Sequence, residues 1–309
     1  MTYEQFWHSL TTIYDAGEAK AIARMVLDVA FGMSMADILC GKVTQLSADE
    51  CQKLQKIQER LLKGEPVQYV LGCADFCGRT FHVEPGVLIP RPETEELCRW
   101  IVESEELRIK NEELRFKSGE LKNKNGQAAC EREQQALRIL DIGTGSGCIA
   151  ITLSLDIPNS RVSAWDISDE ALRIAQENAR QLGTNICFMH HDALQRVAPS
   201  CQNALPAYDI IVSNPPYIFN IEKENMQQHV LGYEPHQALF APDDDPMLFY
   251  RAISNYACAA LSQGGSLYFE LNPLVADEVA LCLQSLGFCH VTIRNDQFGK
   301  KRFIKADKK

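Results

Sequence analysis

Twelve cysteines are spread through this chain of 309 residues, yet no two of them form a Cys-x-x-Cys pair. The nearest two, Cys73 and Cys77, are separated by three residues, so the spacing that marks zinc ribbons or redox dithiols is missing and no metal is expected. Cys148, Cys258 and Cys282 sit in apolar helical patterns, where cysteine serves as a small hydrophobe, and reduced thiols in this number suit the cytosol. Long apolar runs are also absent: none approaches the ~20 residues of a membrane span. The opening MTYEQFWHSL has no basic region followed by an apolar core, the pattern of a signal peptide. The expectation is a soluble, cytoplasmic chain without a membrane partner. Positive charge is in deficit, with 31 Lys and Arg against 41 Asp and Glu and a net charge of −10. Proteins that live on duplex nucleic acid usually carry a basic face, so stable nucleic-acid binding is not expected, although a local patch can hide inside an acidic total. No G-x-x-x-x-G-K-[ST] occurs, which excludes a P-loop.

What is present divides the chain into parts. Residues 1–71 read as a small all-helical domain. Phe6, Leu10, Ile13 and Tyr14 recur at helical spacing, Ile22, Met25, Val26 and Val29 repeat such a face, and Ser47 opens a helix that closes near Gly64 and Pro66. Residues 72–90, punctuated by Gly and Pro, suggest a β-hairpin linking two domains. From 91 to 309 the expectation is the second domain, whose first helix is RPETEELCRWIVES. A charged insertion follows at about 104–135. SEELRIK, NEELRFK and SGELKNK (104–124) are three copies of one seven-residue unit, and seven acidic and seven basic side chains fall between Ser104 and Gln135. Three heptads barely reach coiled-coil length, so the favoured reading is a solvated helical or disordered insertion.

From Leu137 strands and helices alternate. Strands are expected at LRILDIG, RVSAWDI, NICFMHHD, YDIIVSN and GSLYFEL, with helices at about 147–156, 168–182, 246–262 and 274–286. The tail, HVTIRNDQFGKKRFIKA, reads as an antiparallel edge hairpin. The fold class is therefore α/β: a mostly parallel, Rossmann-like sheet of seven strands covered on both faces and preceded by the helical domain. Ligands in such sheets bind beyond the carboxyl ends of the strands.

The informative motifs lie at those ends. After the first strand, Asp141 and the run Gly143-Thr144-Gly145-Ser146-Gly147 form a tight glycine turn over which a ligand can approach main chain. The spacing is G-x-G-x-G, and Cys148 takes the place of the third glycine of the dinucleotide pattern. Asp166, 25 residues after Asp141, ends the second strand and can accept both ribose hydroxyls. Asp192 ends the third and can accept from an adenine amino group. Each acid has a helix cap as its alternative role. A glycine loop, a ribose acid and a base-edge acid without a phosphate grip suit S-adenosylmethionine, with S-adenosylhomocysteine as product.

The fourth strand runs into Asn214-Pro215-Pro216-Tyr217. Proline fixes its own φ and pushes the residue before it into an extended conformation. The segment is stiff and rich in acceptors: the Asn214 side-chain oxygen and the Pro215 carbonyl suit the two hydrogens of a planar –NH2, and Tyr217 offers a ring face. A planar amide nitrogen is a poor nucleophile, so holding both N–H bonds while aligning the nitrogen with a sulfonium methyl lowers the barrier by position and charge.

With these residues in view, the chain resembles the peptide chain release factor glutamine N5-methyltransferases, the PrmC/HemK family. The likeness runs through PVQYVLGCADFCGRTFHVEPGVLIPRPETEEL, LDIGTGSGCIA, SNPPYI, YEPHQALF and DQFGKKR, in that order. It implies a class I methyltransferase fold, S-adenosylmethionine as donor, and as acceptor and partner a translation release factor, at the glutamine of its Gly-Gly-Gln loop. On this sequence it implies that Asp141, Gly143 to Gly147, Asp166, Asp192 and Asn214 hold the cofactor. Asn214, Pro215, Pro216 and Tyr217 would hold the glutamine amide, with Asn214, Pro215 and Tyr217 catalytic. Arg91 would stand at the mouth of the pocket or form a surface salt bridge, and Glu234 and Pro235 would cover the acceptor side. The helical domain would dock the substrate, and the enzyme would act as a monomer. Two features depart from the pattern: Glu270-Leu271-Asn272 stands where relatives usually read Glu-x-Gly, and the heptad insertion has no counterpart. Two rival readings stay open, since NPPY also serves amino-group methyltransferases of DNA or RNA, and a pure binding protein could keep the pocket without turnover.

Overall fold

Capping chemistry sets the boundaries of the N-terminal helices in the computed structural model, which describes residues 1–117, 136–195, 207–225 and 228–309. Thr2 and Gln5 form a capping box at the start of α1 (Tyr3–Leu10), and the Asp15 carboxylate accepts from the Gly17 and Glu18 amides to open α2 (Ala16–Phe31). Gly32, at φ 63°, closes α2. After α3 (Met35–Leu39), Ser47 and Glu50 form another capping box for α4 (Ala48–Leu61), and α5 (Val67–Leu71) follows. Phe6, Leu10, Ile22, Val26, Leu54 and Leu61 share one core. Ile13, Met25 and Val29, expected on the apolar faces, are instead exposed. The reason is geometric: α1 ends at Leu10, before Ile13, and α2 buries the stripe Ala19, Ile22, Ala23, Val26, Leu27, which leaves Met25 and Val29 on its flank.

Strands β1 (Cys73–Phe76) and β2 (Arg79–His82) pair antiparallel. The two residues joining them, Cys77 and Gly78, have φ of 48° and 71°, the positive pair that a tight hairpin turn needs. Pro92 opens α6 (Pro92–Lys117) at the position where proline's missing N–H costs nothing. The helix continues past Ser104 through the first two seven-residue units, with Leu107 and Ile109 exposed; the third unit, 118–124, lies outside the described residues.

The seven-stranded sheet runs β5-β4-β3-β6-β7-β9-β8. Its members are β3 (Leu137–Ile142), β4 (Ser160–Asp166), β5 (Cys187–His190), β6 (Tyr208–Ser213), β7 (Leu261–Glu270), β8 (Cys289–Asn295) and β9 (Lys301–Asp307). All neighbours are parallel except β9, which is antiparallel to both β7 and β8. Alternate residues of the central strands serve two cores. Leu140, Ile211 and Phe269 pack on one face against α11 (Leu248–Ala260) and α12 (Ala276–Ser285). Ile139, Ile210 and Val212 pack on the other against α6 and α7 (Cys148–Asp156). Further α-helices among the described residues are α8 (Asp169–Leu182), which follows β4, and the short α9 (Gln228–Tyr233) and α10 (His236–Leu239). The chain steps outward from β3 through β4 to β5 and returns on the other side as β6. The switch point thus lies between the carboxyl ends of β3 and β6.

Candidate active site

At that switch point Gly143, Gly145 and Gly147 all have positive φ, at 77°, 55° and 82°. A Cβ on Gly147 would lie 3.0 Å from the Ile151 side chain and 3.1 Å from the Ala175 Cβ, so this glycine lets α7 and α8 close on each other. A Cβ on Gly143 or Gly145 would meet nothing within 4 Å; the loop is open there. Its path is fixed from below, because the Gly143 and Thr144 amides both donate to the Trp165 carbonyl at 2.9 Å.

Asp166 accepts from the Gly145 amide at 2.8 Å on one oxygen and from the Ser168 amide at 2.9 Å on the other. Each oxygen keeps a further lone pair, which suits a pair of vicinal hydroxyls. Burial pushes its pKa upward against those bonds. Asp141 is fully buried: its Oδ2 accepts from the Thr144 hydroxyl at 2.6 Å and the Ala150 amide at 3.2 Å, while Oδ1 finds no partner among the described residues. Burial raises its pKa to about 7. Thr144 and Ser146 are buried beneath the loop. Asp192 accepts from the Leu194 amide at 2.8 Å and so shapes its own turn.

Asn214 and Tyr217 are half-buried and converge on one carboxylate. Asn214 Nδ2 donates to the Thr94 hydroxyl at 3.2 Å, and Thr94 donates to Glu270 Oε2 at 2.7 Å. The Tyr217 hydroxyl donates to Glu270 Oε1 at 2.8 Å. Glu270 is 1% exposed; burial raises its pKa, against the pull of the two hydroxyls and of Arg302. Burial, and next the Glu270 charge, push the Tyr217 pKa well up, so its hydroxyl stays a donor. Pro215 is buried and Pro216 half-buried. Beneath them, the Ser213 hydroxyl donates to the Ile142 carbonyl at 2.6 Å, which binds this strand end to the glycine loop.

Arg91 and Glu234 come together as an ion pair, and the buried Glu234 carboxylate also accepts from the Ile89 amide at 3.2 Å. Pro235 precedes α10. Arg91 thus holds the segment before Pro235 against the IPRP turn. Three residues of this architecture have no role in a motif reading. Thr94 and Glu270 are two. The third is Asn178, 1% exposed, whose side chain accepts from the His82 amide at 2.7 Å and donates to the His82 and Ser146 carbonyls at 3.0 and 2.9 Å. A signal existed for Asn178: it lies at the Ala171, Ile174, Ala175 stripe of α8, a polar residue on an apolar face.

Comparison with known proteins supplies the family. The PrmC N-terminal domain family matches residues 8–72 and the Methyltransferase small domain family residues 128–237. A release factor glutamine methyltransferase of Bacteroides thetaiotaomicron is 41% identical over 97% of this chain and 96% of its own. The chain belongs to the release factor glutamine methyltransferase family. The Flavobacterium psychrophilum member is 38% identical over 98% of this chain and 96% of its own. The solved protein-(glutamine-N5) methyltransferase of Alicyclobacillus acidocaldarius is 24% identical and covers 74% of this chain and 99% of that one, with a TM-score of 0.38.

Within a release factor glutamine methyltransferase, Asn272 takes the place expected for glycine, and here it is a strut. Its Nδ2 donates to the Tyr217 carbonyl at 3.0 Å and to Glu222 at 2.7 Å, and its oxygen accepts from the Leu274 amide at 2.9 Å. Glu222 in turn accepts from the Phe219 amide at 2.9 Å. No helix among the described residues is long and apolar enough to cross a membrane.

Proposed function

We propose that this protein methylates the side-chain amide nitrogen of the glutamine in the Gly-Gly-Gln motif of translation release factors. The observation that carries the reading is the lateral contact of two strand ends: Ile142 and Ser213 are register partners, so the open glycine loop and the rigid Asn214–Tyr217 segment share one rim. S-adenosylmethionine, when bound, supplies an electrophilic methyl group on sulfur and leaves as S-adenosylhomocysteine. Its fit is supported by the open backbone at Gly143 and Gly145 and by the orphaned Asp141 oxygen, which suits an ammonium. Asp166 would take the ribose and Asp192 the base edge. Asn214 Oδ1 and the Pro215 carbonyl would accept from the glutamine –NH2, Tyr217 would lie along its plane, and the displaced amide proton would pass to water. In this reading residues 1–71 dock the protein acceptor, 72–90 connect, and 91–309 carry the chemistry.

The test is transfer of labelled methyl from S-adenosylmethionine to a purified release factor, beside the same factor with the glutamine of Gly-Gly-Gln changed to alanine. Label on the first alone supports acceptor and atom together. Label on bulk DNA or RNA but on neither protein would transfer the assignment to a nucleic-acid amino group.

The Asp141 carboxyl adds a pH dependence. Its pKa is raised from 3.8 to about 7 by burial, so below about pH 7 the free protein holds a proton there; the stability tied to that proton is fully present below pH 3.8 and is lost as pH rises from there through about 7. Thr144 and Ala150 donate to it, and Asp166, Cys98 and Cys148 lie near it. A ligand ammonium at Oδ1 selects the ionised form, so cofactor affinity is expected to rise about tenfold per pH unit between roughly pH 5 and 7. Calorimetric titration of wild type and Asp141→Asn checks this. An equal slope in both would show that Asp141 does not meet the ammonium.

A further inference from the structure

We propose that Glu270 and Thr94 form a positioning pair that fixes which way the Asn214 amide faces, turning its oxygen toward the acceptor amide. The inference rests on the reading of the site as an amide methyltransferase, and it follows from counting protons. A threonine hydroxyl has one hydrogen to give. Thr94 Oγ1 lies 2.7 Å from Glu270 Oε2 and 3.2 Å from the Asn214 amide. With the Tyr217 hydroxyl on its other oxygen and the Arg302 charge beside it, Glu270 is held as the carboxylate, which only accepts, and a bond to it is the stronger kind, so the Thr94 hydrogen goes to Glu270. Thr94 can then only accept from Asn214, which must present Nδ2. Its oxygen is thereby left for the acceptor without any contact between Thr94 or Glu270 and the substrate.

The residue that begins this chain is held through both its carboxylate and its backbone. Tyr217 donates to its other oxygen at 2.8 Å. The Tyr250 hydroxyl donates to the Glu270 carbonyl at 3.3 Å. Arg302 of β9 supplies positive charge: its guanidinium donates to the Leu271 carbonyl at 3.1 Å, pairs with Asp296 at 3.2 Å and stands 5.8 Å from the Tyr217 ring centre. One buried acid thus orients both the amide and the ring of the acceptor site. In sequence the parts are far apart: Thr94 opens α6, Glu270 ends β7 and Asn214 follows β6. An amide released from this control can turn its –NH2 toward another –NH2, a repulsive arrangement that lowers the rate.

Thr94→Val keeps the shape and removes the hydroxyl. In single-turnover methylation of a release factor by the full-length enzyme, it is expected to lower the rate roughly tenfold to a hundredfold while S-adenosylmethionine affinity stays within about twofold. Thr94→Ser should recover most of the loss. The deciding measurement is a double-mutant cycle: in an Asn214→Ala background Thr94→Val should cost less than about twofold, because the group it orients is gone. A full loss in both backgrounds, or no loss in either, overturns the proposal. If Thr94→Val proves unfolded by circular dichroism, Thr94→Ala runs through the same cycle. Wild-type enzyme without transfer to the release factor would instead overturn the functional reading, so the two failures are distinct.

Discussion

Asn214→Ala is expected to lower single-turnover methyl transfer by about a hundredfold to a thousandfold, the range seen when one preorganised polar contact to a reacting group is removed. The affinity for S-adenosylmethionine should stay within about twofold, because the glycine loop and Asp166 are held by contacts of their own. The Gly145 amide meets Asp166 and the Gly143 amide meets the Trp165 carbonyl without Asn214. The loss should therefore fall on kcat rather than on the cofactor's dissociation constant, the mark of an interaction made chiefly in the transition state. Rapid-quench transfer with labelled cofactor, beside equilibrium binding, reads both. If the variant keeps more than a tenth of the wild-type rate, the glutamine amide is not held by this side chain. A pure binding protein would show no wild-type rate to lose.

The largest effect on stability is expected at Gly147. Its φ of 82° is a conformation that side chains rarely adopt, and a Cβ there meets Ile151 at 3.0 Å and Ala175 at 3.1 Å. A β-branched residue carries both penalties, about 1–2 kcal/mol for the left-handed backbone and about 1–3 kcal/mol for overpacking. Gly147→Val should therefore lose roughly 2–5 kcal/mol in urea unfolding. Gly145→Ala provides the contrast. It shares the positive φ, at 55°, but its Cβ would meet nothing within 4 Å, so only the backbone penalty applies. Equal losses at the two positions would mean that crowding between α7 and α8 is not what demands glycine at 147.

The central strands were readable because burial on two faces makes them uniformly apolar. YDIIVS and LRILDI end where β6 and β3 end, and the change to Gly or Asn-Pro-Pro marks the rim. Cap chemistry was equally local: Ser47 and Glu50 are three residues apart, within reach of one turn. Periodicity misled where a helix is short or its flank is apolar, as at Ile13, Met25 and Val29. The sequence pattern ends the helix that opens at Pro92 too early, at Ser104, because the seven-residue units that continue it carry few apolar residues and no burial signal. The network behind the motif was not readable at all. Thr94 and Glu270 are 176 residues apart, and a threonine in the first turn of a helix reads as helix-start chemistry until the sheet brings a carboxylate over it. Arg91 and Glu234, 143 residues apart, were each legible as candidates for the acceptor side, but their pairing was visible only in three dimensions. The direction of an inference at Asn272 also changed: a departure from the family pattern proved to be a set of hydrogen bonds under the Tyr217 loop.

The Asn178 amide constrains how this protein can be recombined. It grips the backbone of His82, both amide and carbonyl, together with the backbone of Ser146, and main-chain groups are present whatever side chain stands there. A chimera that takes its helical unit from another protein is therefore indifferent to the identity of residue 82 but not to the path of the strand that carries it. The crossover belongs before Cys73, so that β1 and β2 travel with the sheet they are tied to. A junction placed after the hairpin would bring in a foreign strand whose every displacement is passed, through one side chain, to the floor of the glycine loop.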